Sequence, residues 1–135
     1  MQLSTKGRYS VRSMCRLAQN YKKSSLSLSE ISKKEKISLD YLEQLFSKLR
    51  KNKLVKSIRG AKGGYILAKP PGRISMGNIV FAVDEKVQIN NCQAKKCGRI
   101  GKCPSSLLWK EMDKKISDTL NKISLADLIK NKVVK

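Results

Sequence analysis

Apolar positions recur along the chain with two different periods, and they predict mostly helix with one small hairpin. Between residues 5 and 21, Val11, Met14, Cys15 and Ala18 fall at i, i+3, i+4 and i+7, the spacing of one apolar stripe on a helix. Arg8, Arg12 and Arg16 occupy another face of that helix. A second, short helix starts at Ser27, carries Ile31 and ends near Lys36. Its Ser27 and Glu30 have the spacing of a capping box, in which each side chain satisfies the other's backbone N–H. A third helix follows after a very short turn, with Ser38 as N-cap and Ile37 and Leu42 placed for a hydrophobic staple. Leu39, Leu42, Leu45, Phe46 and Leu49 predict its buried side, and Tyr41, Gln44, Lys48 and Lys51 its polar side. Two helices joined by a tight turn, the second with a polar outward face, form a helix-turn-helix arrangement.

The period then changes to two. Leu54-Val55-Lys56-Ser57-Ile58 reads as an alternating strand, Arg59 to Gly64 as a glycine-rich turn, and Tyr65-Ile66-Leu67-Ala68 as the returning strand. The result is a hairpin with a flexible, basic tip, stopped by Lys69-Pro70-Pro71-Gly72. Ser75 caps another helix containing Ile79, Val80 and Val83. Residues 90 to 104 form a polar loop that bears cysteines. After Pro104, a residue suited to the first turn of a helix, a long helix runs to about Lys122. Its stripe of Leu108, Met112, Ile116, Leu120 and Ile123 needs a surface to pack on. A short terminal helix, Leu125 to Ile129, closes back on the domain. The expected fold class is mainly α: a winged helix-turn-helix with a two-stranded wing and a long C-terminal dimerisation helix.

Charge changes the picture most. Thirty Lys+Arg against ten Asp+Glu give a formal net charge of +20 over 135 residues. A cation of this density suits a polyanionic partner, since neutralising phosphates releases condensed counterions. The alternative is a lysine-rich surface with no partner. On the third helix, Gln44 is suited to pairing with adenine, and Tyr41 to contacting a base edge, a thymine methyl or a phosphate. Arg59 and Lys62, on a tip kept thin by Gly60, Gly63 and Gly64, suit phosphates or the narrow groove. Lys48, Arg50, Lys51 and Lys53 read either as backbone contacts or as solvated charge. Residues 1–83 are therefore expected to form a DNA-binding domain, and 84–135 a cysteine loop and dimerisation helix.

Cys92, Cys97 and Cys103 are separated by four and five residues, in a loop whose Gly98 and Gly101 let three thiolates converge. Lys95, Lys96, Arg99 and Lys102 interleave with them and favour the thiolate form. Structural zinc more often uses paired C-x-x-C knuckles and four Cys/His ligands. Three thiolates in one short loop suit an iron–sulfur cluster with one exchangeable ligand. Zinc, a thiol-redox switch and inert cysteines stay open on spacing alone. Cys15 lies on the apolar stripe of the first helix and reads as a core cysteine rather than a ligand. The chain has no histidine, so no Ser-His-Asp or Cys-His set is available, and nothing places Asp84 and Glu85 across a substrate. No enzyme activity and no small-molecule substrate are expected. The residues from Met1 to Lys6 lack a secretory pattern, and the longest apolar run, about Ile79 to Val83, is too short for a membrane span. A cytoplasmic location without membrane contact is expected.

Several runs are specific enough to carry a family resemblance. They are Thr5-Lys6-Gly7-Arg8-Tyr9, Ile37-Ser38-Leu39, Tyr41-Leu42-Glu43-Gln44-Leu45-Phe46-Ser47, Val55-Lys56-Ser57-Ile58-Arg59-Gly60, Gly63-Gly64-Tyr65 and Ala82-Val83-Asp84-Glu85. With the cysteine loop and the segment from Leu108-Trp109 to Leu125, the chain resembles the IscR-like iron–sulfur cluster regulators over nearly its whole length. This winged-helix family also includes the nitric-oxide-sensing NsrR regulators. The resemblance implies a homodimer on a double-stranded DNA operator, with the long helix as the seam between two chains. It places position 40, Tyr41 and Gln44 at the major groove and Arg59 in the minor groove, and it implies that Glu43 tunes which operator class is bound. Position 40 is Asp40 here, where the family pattern often has serine. A carboxylate there prefers a cytosine amino group or repels phosphate.

The resemblance also implies Cys92, Cys97 and Cys103 as cluster ligands, with 2Fe–2S favoured over 4Fe–4S. The family's fourth ligand is a histidine shortly after the third cysteine, and Ser106 stands at the matching place. NsrR regulators use an acidic residue of the partner's first helix, and the matching residue here is Arg8, which cannot ligate. Ser106, another oxygen ligand, Cys15, a small thiol or water remain as candidates, and a weak fourth ligand predicts a labile cluster. The expected function is a DNA-binding transcriptional regulator, repressor or activator, controlled by an iron–sulfur cluster. The alternatives are a thiol-redox, nitric oxide or zinc-dependent regulator of the same fold, and a general basic nucleic-acid-binding protein.

Overall fold

The computed structural model describes residues 5–61, 63–83 and 104–130. Three helices come first: α1 (Thr5–Gln19), α2 (Leu28–Glu35) and α3 (Leu39–Lys51). A two-stranded antiparallel sheet follows, β1 (Val55–Ile58) against β2 (Gly64–Leu67), with Val55 opposite Leu67 and Ile58 opposite Gly64. A single 3₁₀ turn, Pro71–Arg73, leads into α4 (Met76–Val83). The long α5 (Ser106–Lys122) and the short α6 (Leu125–Ile129) complete the described residues. This is the mainly helical winged helix-turn-helix expected from periodicity.

The helix starts behave as the local sequence dictates. Ser27 Oγ accepts the Glu30 N–H at 3.1 Å, and the Glu30 carboxylate accepts the Ser27 N–H in return. Ser38 Oγ accepts the Tyr41 N–H at 3.2 Å, and Ser75 Oγ the Asn78 N–H at 3.0 Å. Ser124 and Asp127 repeat the capping box in front of α6. Each cap satisfies donors that the helix itself leaves without a partner.

One core joins these elements. Met14 and Leu17 of α1, Ile31 of α2, and Leu42, Leu45, Phe46 and Leu49 of α3 are buried together with Leu67, Ile74, Ile79, Val83 and Leu125. Leu125 belongs to α6, so the end of the described chain packs into the core built by the N-terminal helices. Its return is fixed by backbone bonds: the Met76 N–H donates to the Ile123 carbonyl at 2.8 Å, and the Leu125 N–H to the Ile74 carbonyl at 2.9 Å. Leu39 departs from the expected pattern. Helical spacing predicts it on the buried side of α3, but it is 40% exposed, whereas Leu42 in the same turn is fully buried.

Arg12 and Arg16 do not form a free basic face. Both pair with Glu35 at the end of α2 and tie α1 to it, and Arg12 also donates to the Glu35 backbone carbonyl at 2.6 Å. Burial pushes the Glu35 carboxyl up, but the hydrogen bonds from Arg16 and Arg12 and their charges outweigh it, so the group ends below its ordinary 4.5. A folded-state value below the unfolded one stabilises the protein above about pH 4.5, and this stabilisation is lost as pH falls through the folded value. Glu35→Gln is expected to lower Tm at neutral pH and to flatten the acid side of the stability profile. Thermal melts of both proteins across the acid range check this, and identical acid-side slopes contradict it.

Candidate nucleic-acid interface

On α3, Asp40, Glu43, Gln44, Ser47, Lys48 and Lys51 line one open surface on the side away from the core. None of these six is buried, and no ion pair among the described residues engages Asp40 or Glu43. The face is therefore rich in unsatisfied donors and acceptors, as a surface that hydrogen-bonds to base edges must be. Its charge is uneven: the first turns carry Asp40, Glu43 and Gln44, whereas the last carry Lys48, Arg50 and Lys51.

Ser47 is a member of this face that the sequence reading misses, although its helical spacing from Glu43 and Gln44 is the signal that finds it. Tyr41 differs in the opposite sense. Expected on the polar side, it is half-buried, with its ring set edge-on to Tyr9 at 5.7 Å and 67°. Arg12 lies over the same Tyr9 ring, 5.4 Å from its centroid. Tyr41 thus serves as a brace between α3 and α1 as well as a candidate contact.

The hairpin projects beside α3. Arg59 is exposed at the tip, and Gly60 holds φ +115°, a backbone conformation that L side chains rarely adopt. The turn closes with the Gly63 N–H donating to the Gly60 carbonyl at 2.9 Å. Gly64, expected in the turn, opens β2 instead, directly against the backbone of Leu26. Lys62 lies outside the described residues.

Cys92, Cys97 and Cys103 also lie outside the described residues, which themselves contain no cluster of three His, Cys, Asp or Glu suited to a metal. The other ligand candidates, Cys15, Arg8 and Ser106, lie within them. Cys15 is half-buried, and burial, reinforced by the charge of Glu35, pushes its thiol pKa up. Its place on the apolar side of α1, packed against the core, suits a core cysteine. Arg8 is an exposed cation on α1. Ser106 occupies the first position of α5, is half-buried, and stands three residues after Cys103 in the sequence. Three soft sulfur donors followed by one hard oxygen fit iron on chemical grounds. No helix among the described residues is long and apolar enough to cross a membrane.

A helix-turn-helix, a polar outward face on its second helix and a basic two-stranded wing define a winged-helix transcriptional regulator. The sequence profile of the Rrf2 family, described as iron-dependent transcriptional regulators, matches residues 3–131, and the chain belongs to this family. Among curated proteins, the HTH-type transcriptional regulators IscR of Erwinia tasmaniensis and of Cronobacter sakazakii are each 44% identical over 135 residues. These alignments cover 99% of this chain and 82% and 83% of the two relatives. Among solved structures, T. potens IscR superposes with a TM-score of 0.81 at 37% identity, covering 97% of this chain and 88% of that one. CymR, the global cysteine regulator of B. subtilis, superposes with a TM-score of 0.82 at 32% identity, covering 97% and 98%. These relatives are regulators of transcription, not enzymes.

Proposed function

We propose that the protein binds a double-stranded DNA operator as a homodimer, and that an iron–sulfur cluster held by Cys92, Cys97 and Cys103 selects which operators it binds. Residues 1–83 read DNA, and the cysteine loop and α5 within 84–135 join the two chains. The observation that carries the reading is the open, unpaired polar face of α3 beside a basic wing, in a chain that also bears three closely spaced cysteines. Gln44 and Tyr41 read base edges, with Asp40 and Glu43 disfavouring wrong ones, and Arg59 and Lys62 enter the minor groove. A 2Fe–2S cluster suits three cysteines and one oxygen ligand from Ser106. When bound, the cluster supplies sensitivity to iron, oxygen or nitric oxide, as befits a cytoplasmic regulator.

The test begins with a duplex selected by the protein from a randomised pool, titrated against a scrambled duplex at two salt concentrations. The selected duplex is expected to bind more tightly. Gln44→Ala is expected to cost about 1–3 kcal/mol at one base position only. Equal weakening on every sequence contradicts base reading by Gln44. Anaerobically purified protein is expected to be coloured and to contain iron and acid-labile sulfide. Colourless protein with stoichiometric zinc overturns the cluster in favour of a zinc-dependent regulator of the same fold.

A further inference from the structure

Beyond the recognition face, Arg50, Lys53, Lys56 and Lys69 surround a second open groove, floored by Val55 and Ala68 and edged by Ser57. The groove joins the last turn of α3 to the outer face of the wing. All four cations are exposed, and none forms an ion pair among the described residues. Lys53 is held in place by the backbone: it has φ +60°, its N–H donates to the Arg50 carbonyl at 2.9 Å, and the next N–H, of Leu54, reaches the Leu49 carbonyl at 3.1 Å. This is the left-handed helix end that glycine usually occupies, and here it presents a lysine. Lys56 is on β1, whose neighbouring Val55 is buried, so strand alternation turns Lys56 outward.

We propose that this groove is a backbone clamp for the phosphates of duplex DNA flanking the segment read by α3. The proposal rests on the DNA-binding reading above and extends it. A recognition helix puts its N-terminal residues against base edges, and on α3 those are Asp40, Glu43 and Gln44. The helix then leaves the groove by its C-terminal end, where the phosphate backbone passes. There the chain places four unpaired cations, continuous with Lys48 and Lys51 of the recognition face. A phosphate ladder matches them better than an acidic protein surface does, because the cations extend the face of α3 proposed to meet DNA, and the apolar floor of Val55 and Ala68 is small, with no exposed large apolar side chain to anchor a protein partner. The clamp adds affinity and register without reading sequence.

The test compares the full-length wild type with Lys53→Gly and with Lys53→Gly/Lys56→Gln/Lys69→Gln. The probe is a duplex selected from a randomised pool, in flank-extended and flank-trimmed forms. Lys53→Gly relieves the left-handed backbone, so its Tm is expected to rise while affinity for the extended duplex falls, which separates binding from folding. The triple variant is expected to lower the slope of log K against log salt on the extended duplex by about 2–3 in magnitude for each protomer, about 5 for the proposed dimer, near one unit for each phosphate no longer neutralised. Its preference for selected over scrambled sequence, and its affinity for the trimmed duplex, are expected to match wild type. A folded triple variant with the wild-type slope and affinity on the extended duplex overturns the clamp. Equal binding of selected and scrambled duplexes by wild type overturns the regulator reading instead, and the slope comparison still decides the clamp.

Discussion

If the chain forms the proposed homodimer through α5, Leu108→Glu combined with Met112→Glu is expected to leave a folded monomer and to weaken binding to a two-half-site duplex by about two orders of magnitude or more. The α5 helix has 17 residues and buries none of them within the single chain. Leu108 and Met112 are 53% and 40% exposed, one turn apart on the stripe that continues through Ile116 and Leu120. Leu120 and Ile123 at the end of the stripe pack on the chain's own core, whereas Leu108 and Met112 do not, and in the proposed dimer a second copy of the same helix would cover them in a closed, self-complementary contact. Carboxylates at both positions would be buried unpaired on both sides of the seam, a cost of several kcal/mol per charge. The core of Met14, Phe46, Leu49, Ile79 and Leu125 does not use either side chain, so the monomer should keep its fold. Once the chains part, each recognition helix binds a half-site alone and the avidity of the pair, about 10²–10⁴, is lost. Sedimentation equilibrium and titrations on half-site and full-site duplexes measure both effects. A dimeric double variant, or one with unchanged full-site affinity, refutes the α5 seam.

Gly64→Ala is expected to destabilise the fold by about 3 kcal/mol, at the upper end of overpacking substitutions. A Cβ at Gly64 would fall on the Leu26 carbonyl and press the Ser27 backbone N–H. Backbone cannot swing aside as a long side chain can. The strand would have to lift, and with it the two bonds that pin it: Leu26 N–H to the Tyr65 carbonyl at 3.1 Å, and Tyr65 N–H to the Leu26 carbonyl at 2.7 Å. Tyr65 also packs on Phe46, with ring centroids 4.9 Å apart, so the disturbance reaches the core and the wing together. Gly72→Ala is the control. Nothing lies within 4 Å of its added carbon, and its stability should change by less than about 0.5 kcal/mol. Urea unfolding of both variants checks the contrast, and equal midpoints would mean that the Leu26–Tyr65 bridge tolerates the methyl.

The candidate site was legible to different degrees along the chain. Gln44, Lys48 and Lys51 stand where helical spacing put them, because an amphipathic helix sorts its own faces. Tyr41 is more buried than its polar neighbours, because an aromatic ring at the margin of a stripe packs wherever a partner is offered. That partner, Tyr9, lies 32 residues away in the chain, 41 − 9. Arg12 and Arg16 look like a free basic face until Glu35 is placed between them. Arg50, Lys53, Lys56 and Lys69 are scattered over positions 50 to 69 and share no period, so only the turn after α3 and the wing bring them to one groove. The three cysteines are a matter of spacing and chemistry, and they lie outside the described residues.

By itself the sequence determined what depends on near neighbours: helix starts at Ser27, Ser38 and Ser75, the hairpin, the faces of the amphipathic helices, the surplus of positive charge and the cysteine trio. Caps, alternation and helical stripes are made within a few residues, so they can be read without knowing the rest of the fold. Tertiary structure alone decided what depends on distant backbone meeting backbone. It set Gly64 against Leu26, returned Leu125 to the core through the Ile74 and Ile123 carbonyls, spent Arg12 and Arg16 on Glu35, and left Leu39 in solvent. Such contacts are set by how closely elements can approach one another, a property of the packed chain and not of any short stretch of it.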